Sequence, residues 1–235
     1  MPYKMRRLAL IPILICLLVV SLTSIADWKL AKNKNGITVS LRNKTNSDIK
    51  EFQGSIKIKA SMDSILAAFL DVESCPKWFH QCTHPALINE IKLKERVLYH
   101  ISDFPFPATD RYILSKMTLI QNPATKTMRI NAIAVPDYCQ SNNKASCQKI
   151  KTKSLVKIKH STGYFEFSPL ENGFVKVFWQ HHTEPEGMLP KWMVNMLLVD
   201  IPYYTLDGLR QIVKTDKFKN AKFTYNAQGL VTGFE

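Results

Sequence analysis

The run from Trp192 to Ile201 is apolar at every position except Asn195 and Asp200. A helix apolar on nearly all sides has to be covered on nearly all sides, so the rest of the chain must supply a surface that wraps it. Pro190 suits the first turn of such a helix, where its missing N–H has no intrahelical partner. Pro202 predicts a kink or a short restart. Beyond it the pattern is amphipathic: Leu206, Leu209, Ile212 and Val213 share one face, and Asp207, Arg210, Gln211 and Lys214 share the other.

The preceding hundred or so residues read as that wrapping surface. From Ala86 to Thr183 the pattern is strand after strand: Leu87–Leu93, Arg96–Ser102, Arg111–Gln121, Met128–Val135, Leu155–His160, Tyr164–Phe167 and Phe174–Thr183. No helical pattern intervenes, so the sheet is expected to be antiparallel. Upstream, Asn35-Gly36 marks a turn before Ile37–Leu41, and Glu51–Ala60 alternates as a half-buried strand. Met62, Ile65, Leu66, Phe69 and Leu70 then space a helix capped by Ser61 or Asp63, with a second short helix around Pro76 to His80. Strands, a helix, a long meander and a long final helix make an α+β chain in which a sheet grips a helix. No repeat or change of composition divides it after Trp28, so one domain is expected.

Alternation also picks out an inner face. Arg111, Ile113, Ser115, Met117 and Leu119 oppose Lys116, which belongs outside. By the same parity Met128, Ile130, Ala132 and Ala134 face inward, as do Phe165 and Phe167, and Val175, Val177 and Trp179. These residues fit equally a filled core or a cavity with apolar walls.

The first 26 residues carry Lys4, Arg6 and Arg7, an apolar run from Leu8 to Leu22, and Ser24-Ile25-Ala26. That is the layout of a cleaved signal peptide; the alternative is an anchor retained in the membrane, for which the run is short. The expected division is a signal over residues 1–26, a domain over 27–215 and a tail over 216–235, in a periplasmic or secreted protein. Removing three basic and no acidic residues leaves 29 Lys and Arg against 19 Asp and Glu, a net +10. This favours transient contact with an anionic membrane surface. Nucleic acid is not expected as a partner, because no arginine-rich helix or basic–aromatic cluster is present. Cys75, Cys82, Cys139 and Cys147 form an even set in an exported chain and read as disulfides, most simply Cys75–Cys82 with Cys139–Cys147. The alternative, a metal bound by Cys75, His80, Cys82 and His84, has spacing unlike that of common zinc sites; no metal and no cofactor is expected.

Three motifs give the chain a resemblance. Trp28 with Asn35-Gly36-Ile37-Thr38-Val39, the bend Phe104-Pro105-Phe106-Pro107-Ala108-Thr109-Asp110-Arg111, and Glu184–Asn195 resemble the START (steroidogenic acute regulatory protein-related lipid transfer) family. Leu70-Asp71 followed by Trp78 fits the same pattern, and the match runs from Asp27 to about Lys214. Tyr112 stands where the family commonly has Asp after the arginine. The resemblance implies a helix-grip fold enclosing one cavity for a lipid or sterol-like molecule. It breaks the tie between filled core and cavity, and gives an expected ligand-binding set: Ile113, Met117, Ile130, Phe165, Val177 and Trp179 from the sheet, and Val194, Leu198 and Ile201 from the helix. Arg111 is expected to pair with a carboxylate or a ligand headgroup, with Tyr99 and Asp103 on the strand before it as hydroxyl and counter-charge. The protein is expected to act as a monomeric carrier and not as an enzyme. The alternative is a cyclase- or hydrolase-like helix-grip enzyme, for which His100, His160, His181 and His182 are candidates by residue type alone. A third possibility is an interaction module with a filled core.

Overall fold

A computed structural model describes residues 27–142 and 144–234. The signal-peptide reading therefore lies outside the described residues. The chain begins with β1 (Lys29–Lys34), β2 (Ile37–Arg42) and β3 (Glu51–Lys59), then α1 (Met62–Leu70) and α2 (Cys75–Trp78). The meander follows: β4 (Cys82–Ile91), β5 (Glu95–Ser102), β6 (Arg111–Asn122) and β7 (Thr127–Ala134). After α3 (Tyr138–Ser141) and the short β8 (Val156–Lys157) come β9 (Ser161–Pro169) and β10 (Phe174–Thr183). The long helix α4 (Lys191–Ile212) precedes α5 (Asp216–Lys219), β11 (Phe223–Tyr225) and β12 (Val231–Phe234).

The sheet runs in the order β1-β2-β3-β10-β9-β7-β6-β5-β4, antiparallel at every pairing except β8, which joins β6 in parallel. β1 escapes the sequence reading because its residues are mostly exposed and carry no alternation. Ser61 caps α1 by accepting from the Ser64 N–H at 3.0 Å. Asp63, the other candidate cap, instead accepts from the Phe223 N–H at 3.1 Å and from the Tyr225 hydroxyl. Those contacts seat residues 216–234 on the domain, and Phe218, Phe223 and Val231 are buried in the main core.

α4 runs through Pro202 as one 22-residue helix, so the restart expected there does not occur. It crosses α2 so closely that a Cβ on Gly208 would lie 2.3 Å from the Trp78 carbonyl oxygen; only glycine fits that crossing. The two halves of α4 differ. Leu206, Leu209, Ile212 and Val213 are fully covered, as their amphipathic spacing predicts, and with α1 they fill one half of the sheet's inner face. In the first half Met193 and Leu197 are buried, but Trp192 is 58% exposed, and Val194, Leu198 and Ile201 are only half-buried. This half is not wrapped on all sides; it roofs open space.

A second core lies on the opposite face of the sheet. Val97, Tyr99, Ile101, Tyr112 and Leu114 pack beneath the segment from Val135 to Leu155. Cys139 pairs with Cys147 inside that covering segment, and Cys75 with Cys82 between α2 and β4. β5 and β6 are thus covered on both faces, by this segment on one and by the helices on the other.

Candidate functional site: a roofed apolar cavity

Between the first half of α4 and the uncovered half of the sheet lies a cavity of about 190 Å³. Register explains its walls. Directly opposed residues of antiparallel strands share a face, and the pairs His100–Ile113, Leu98–Ser115, Met117–Ala132, Phe165–Trp179 and Phe52–His181 all point inward. α2 and the residues after it add Trp78, Phe79 and Gln81; Phe104, Pro185 and Leu189 close one side; Val194, Leu197, Leu198 and Ile201 form the roof. The rings of Phe165 and Trp179 stack at 4.4 Å, and Phe79 leans on both Trp179 and His100. The lining is overwhelmingly apolar, which suits the body of a hydrophobic molecule.

Of the residues expected to bind ligand, Ile113, Met117, Phe165, Trp179, Val194, Leu198 and Ile201 line this cavity together. Ile130 and Val177 do not: they share the inner face, but they lie where α1 and the second half of α4 fill it. Tyr99 borders the cavity, yet its ring belongs to the second core, 6.1 Å from the ring of Tyr112. There its hydroxyl donates to the Lys151 carbonyl, and burial pushes its pKa up to about 12. The inward positions of β5 are Leu98, His100 and Ser102, one residue out of phase with the sequence reading. Asp103 is exposed just past the strand and is not at the site.

Arg111 is 2% exposed and contacts neither a carboxylate partner nor the cavity. Its guanidinium donates to the carbonyls of Thr109, Pro185 (3.2 Å) and Glu186 (3.2 Å), and lies 4.4 Å from the centre of the Phe104 ring. Burial pushes its pKa below the ordinary value, with nearby Asp110 opposing. Arg111 thus ties the Phe104 bend to the approach of α4. Beyond the two tied points, Phe106 and Met188 stand almost wholly exposed.

Of the cavity's polar residues, the sequence offers His100 and His181 by residue type alone, and Ser115 and Ser161 carry no motif. His181 shares a 2.7 Å hydrogen bond with Ser161, which also meets Thr183 at 2.8 Å. The ring of His181 fits only because Gly163 opposes it: a Cβ there would be 2.2 Å from Nδ1. Burial pushes His100 down to about 4, and burial, then the neighbouring His182 and His100, does the same to His181. A Ser–His contact is one part of a nucleophilic site, but His181 Nδ1 has no hydrogen-bond partner among the described residues. A base at about 4 is also far from the value suited to neutral pH. His160 is largely exposed and His182 lies on the outer face. For metal binding, Cys75 and Cys82 are joined to each other, and no cluster of three ligand-type side chains occurs among the described residues.

An uncharacterised protein of Pseudomonas aeruginosa is 31% identical over 184 residues, covering 78% of this chain and 85% of that one. The crystal structure of a STAR-related lipid transfer protein fragment from Xanthomonas axonopodis superposes with a TM-score of 0.70 at 26% identity. It covers 80% of this chain and 99% of that one. The chain has the fold of this STAR-related lipid transfer protein. The human StAR-related lipid transfer protein 5 shares the fold, with a TM-score of 0.68 at 17% identity over 82% of this chain and 88% of that one. No family model matches the chain. The START helix-grip architecture is therefore the one expected from the sequence, with an open sheet around α4. The two disulfides fit an oxidising, exported setting. No described helix is long and apolar enough to cross a membrane.

Proposed function

We propose that this protein holds one hydrophobic ligand beneath the first half of α4 and carries it between membranes, or presents it at one, without chemical change. The single observation that carries this reading is the roofed apolar cavity, walled by both sheet and helix. At about 190 Å³ it exceeds the cavities of about 150 Å³ that take up benzene, but is smaller than typical drug-sized sites of about 300 Å³ or more. A lipid-sized ligand must therefore push the roof outward. Val194, Leu198 and Ile201, half-buried and free of tight packing on one side, are the part that yields. Phe106, Met188 and Trp192 are the apolar groups that would enter the interface, with Lys191 beside them and the net positive charge holding an anionic surface.

The test is mass spectrometry of organic extracts from the exported protein, followed by transfer of the extracted lipid between vesicles. A stoichiometric ligand of one class is expected. Transfer should fall about tenfold in a Phe106→Ser, Met188→Ser variant that keeps its ligand. An empty extract with no uptake from vesicles would sink the carrier reading.

A further inference from the structure

We infer that the cavity selects an uncharged ligand carrying a hydroxyl or carbonyl oxygen, held by His100 and Ser115 at the β5–β6 end. The inference rests on the carrier reading above and narrows it. It begins with charge. No Lys or Arg lines the cavity, and its one ionisable carboxylate, Asp71, is occupied by Lys217 and by the Ser74 hydroxyl at 2.5 Å. Arg111, on the same strand as Ser115, is absent from the lining and donates instead to three backbone carbonyls. A carboxylate or phosphate entering here would be an unpaired buried charge, as would an ammonium, and either is strongly disfavoured relative to water.

The walls nevertheless contain polar groups without partners. His100 and Ser115 sit on neighbouring strands, in the opposed pairs His100–Ile113 and Leu98–Ser115, and both line the cavity. Among the described residues neither side chain has a hydrogen-bond partner. His100 is held neutral by its burial, so it offers one donor and one acceptor. Six buried side-chain polar atoms lack a partner among the described residues, and four of them, Trp78 Nε1, Gln81 Oε1, Trp179 Nε1 and His181 Nδ1, belong to lining residues. Buried polar groups are nearly always satisfied in a folded protein, and here the exceptions gather around one space. Neutral donors and acceptors in an apolar chamber match a hydroxyl or carbonyl on an apolar body.

Isothermal titration calorimetry at pH 7 with decanol, decanoate and decylammonium compares three heads on one tail. Decanol is expected to bind at least about tenfold more tightly than either ion. Ser115→Ala, which removes only a hydroxyl, and His100→Phe should each weaken decanol about three- to tenfold, the worth of one hydrogen bond. If decanol and decanoate bind alike, or decanoate binds better, the inference is overturned and the carrier reading stands. Decanol binding left unchanged in both variants would overturn it in the same way. If none of the three binds, the carrier reading falls and takes this inference with it.

Discussion

Arg111 shows how one side chain can be placed on the right face of a strand and still do something other than its residue type announces. A guanidinium carries five N–H donors, and the backbone carbonyls of Thr109, Pro185 and Glu186 take up three of them, one on each nitrogen. Arg111→Leu would remove the donors that join the Thr109 carbonyl to those of Pro185 and Glu186. Denaturant unfolding is expected to show a loss of about 2–4 kcal/mol, with the class of lipid in the extract unchanged. A change of lipid class at unaltered stability would return Arg111 to the binding site. Lysine is not a substitute, because one ammonium cannot span three carbonyls held in a fork.

At the scale of elements, β5 and β6 decide both the cavity and its misreading. Each has an apolar outer face, and the Val135–Leu155 segment covers that face to make the second core. The Cys139–Cys147 bridge, eight residues apart, closes a short loop within the cover. Replacing both cysteines by serine is expected to cost about 2.5 kcal/mol through the freed loop. Thermal unfolding would measure the cost, and near-ultraviolet circular dichroism should show Tyr99 and Tyr112 losing their fixed surroundings. Unchanged near-ultraviolet signals would mean that the cover holds without its bridge. α4 makes the complementary point. Its second half is bound by packing against α1 and the sheet, its first half has space beneath it, and the helix runs unbroken through Pro202.

For the whole molecule, the two buried histidines tie stability to pH. Both are neutral in the fold until about 4, whereas an unfolded histidine takes up its proton near 6.5. Between those values the unfolded chain binds more protons, so stability falls as pH drops from about 6.5 to about 4 and this contribution levels off below. The loss is bounded at about 3 kcal/mol for each group. Melting temperatures from pH 8 to pH 4 should decline mainly below pH 6.5, and a His100→Phe, His181→Phe variant that still folds should flatten the decline. An equally steep decline in that variant would assign it to other groups.

The sequence by itself determined the order of the main elements from β2 to α4, the parity of β6, β7, β9 and β10, the covered face of α4 after Pro202, and the cysteine set. Each of these is local: a side-chain period, a turn residue, a cap or an even count suffices. Gly36 and Asn35, for example, mark the β1–β2 turn whatever surrounds it. Only the tertiary structure decided which inner-face residues meet open space. Ile130 and Val177 share the periodicity of Phe165 and Trp179, and what separates them is where α1 and the end of α4 come to rest. The phase of β5 was equally hidden, because alternation marks a burial boundary and both faces of that strand are buried. The eight residues between β5 and β6 are too long a link to carry register from one strand to the next. His100 and Ser115 became neighbours through strand pairing alone, and so did the cavity's neutral polar end.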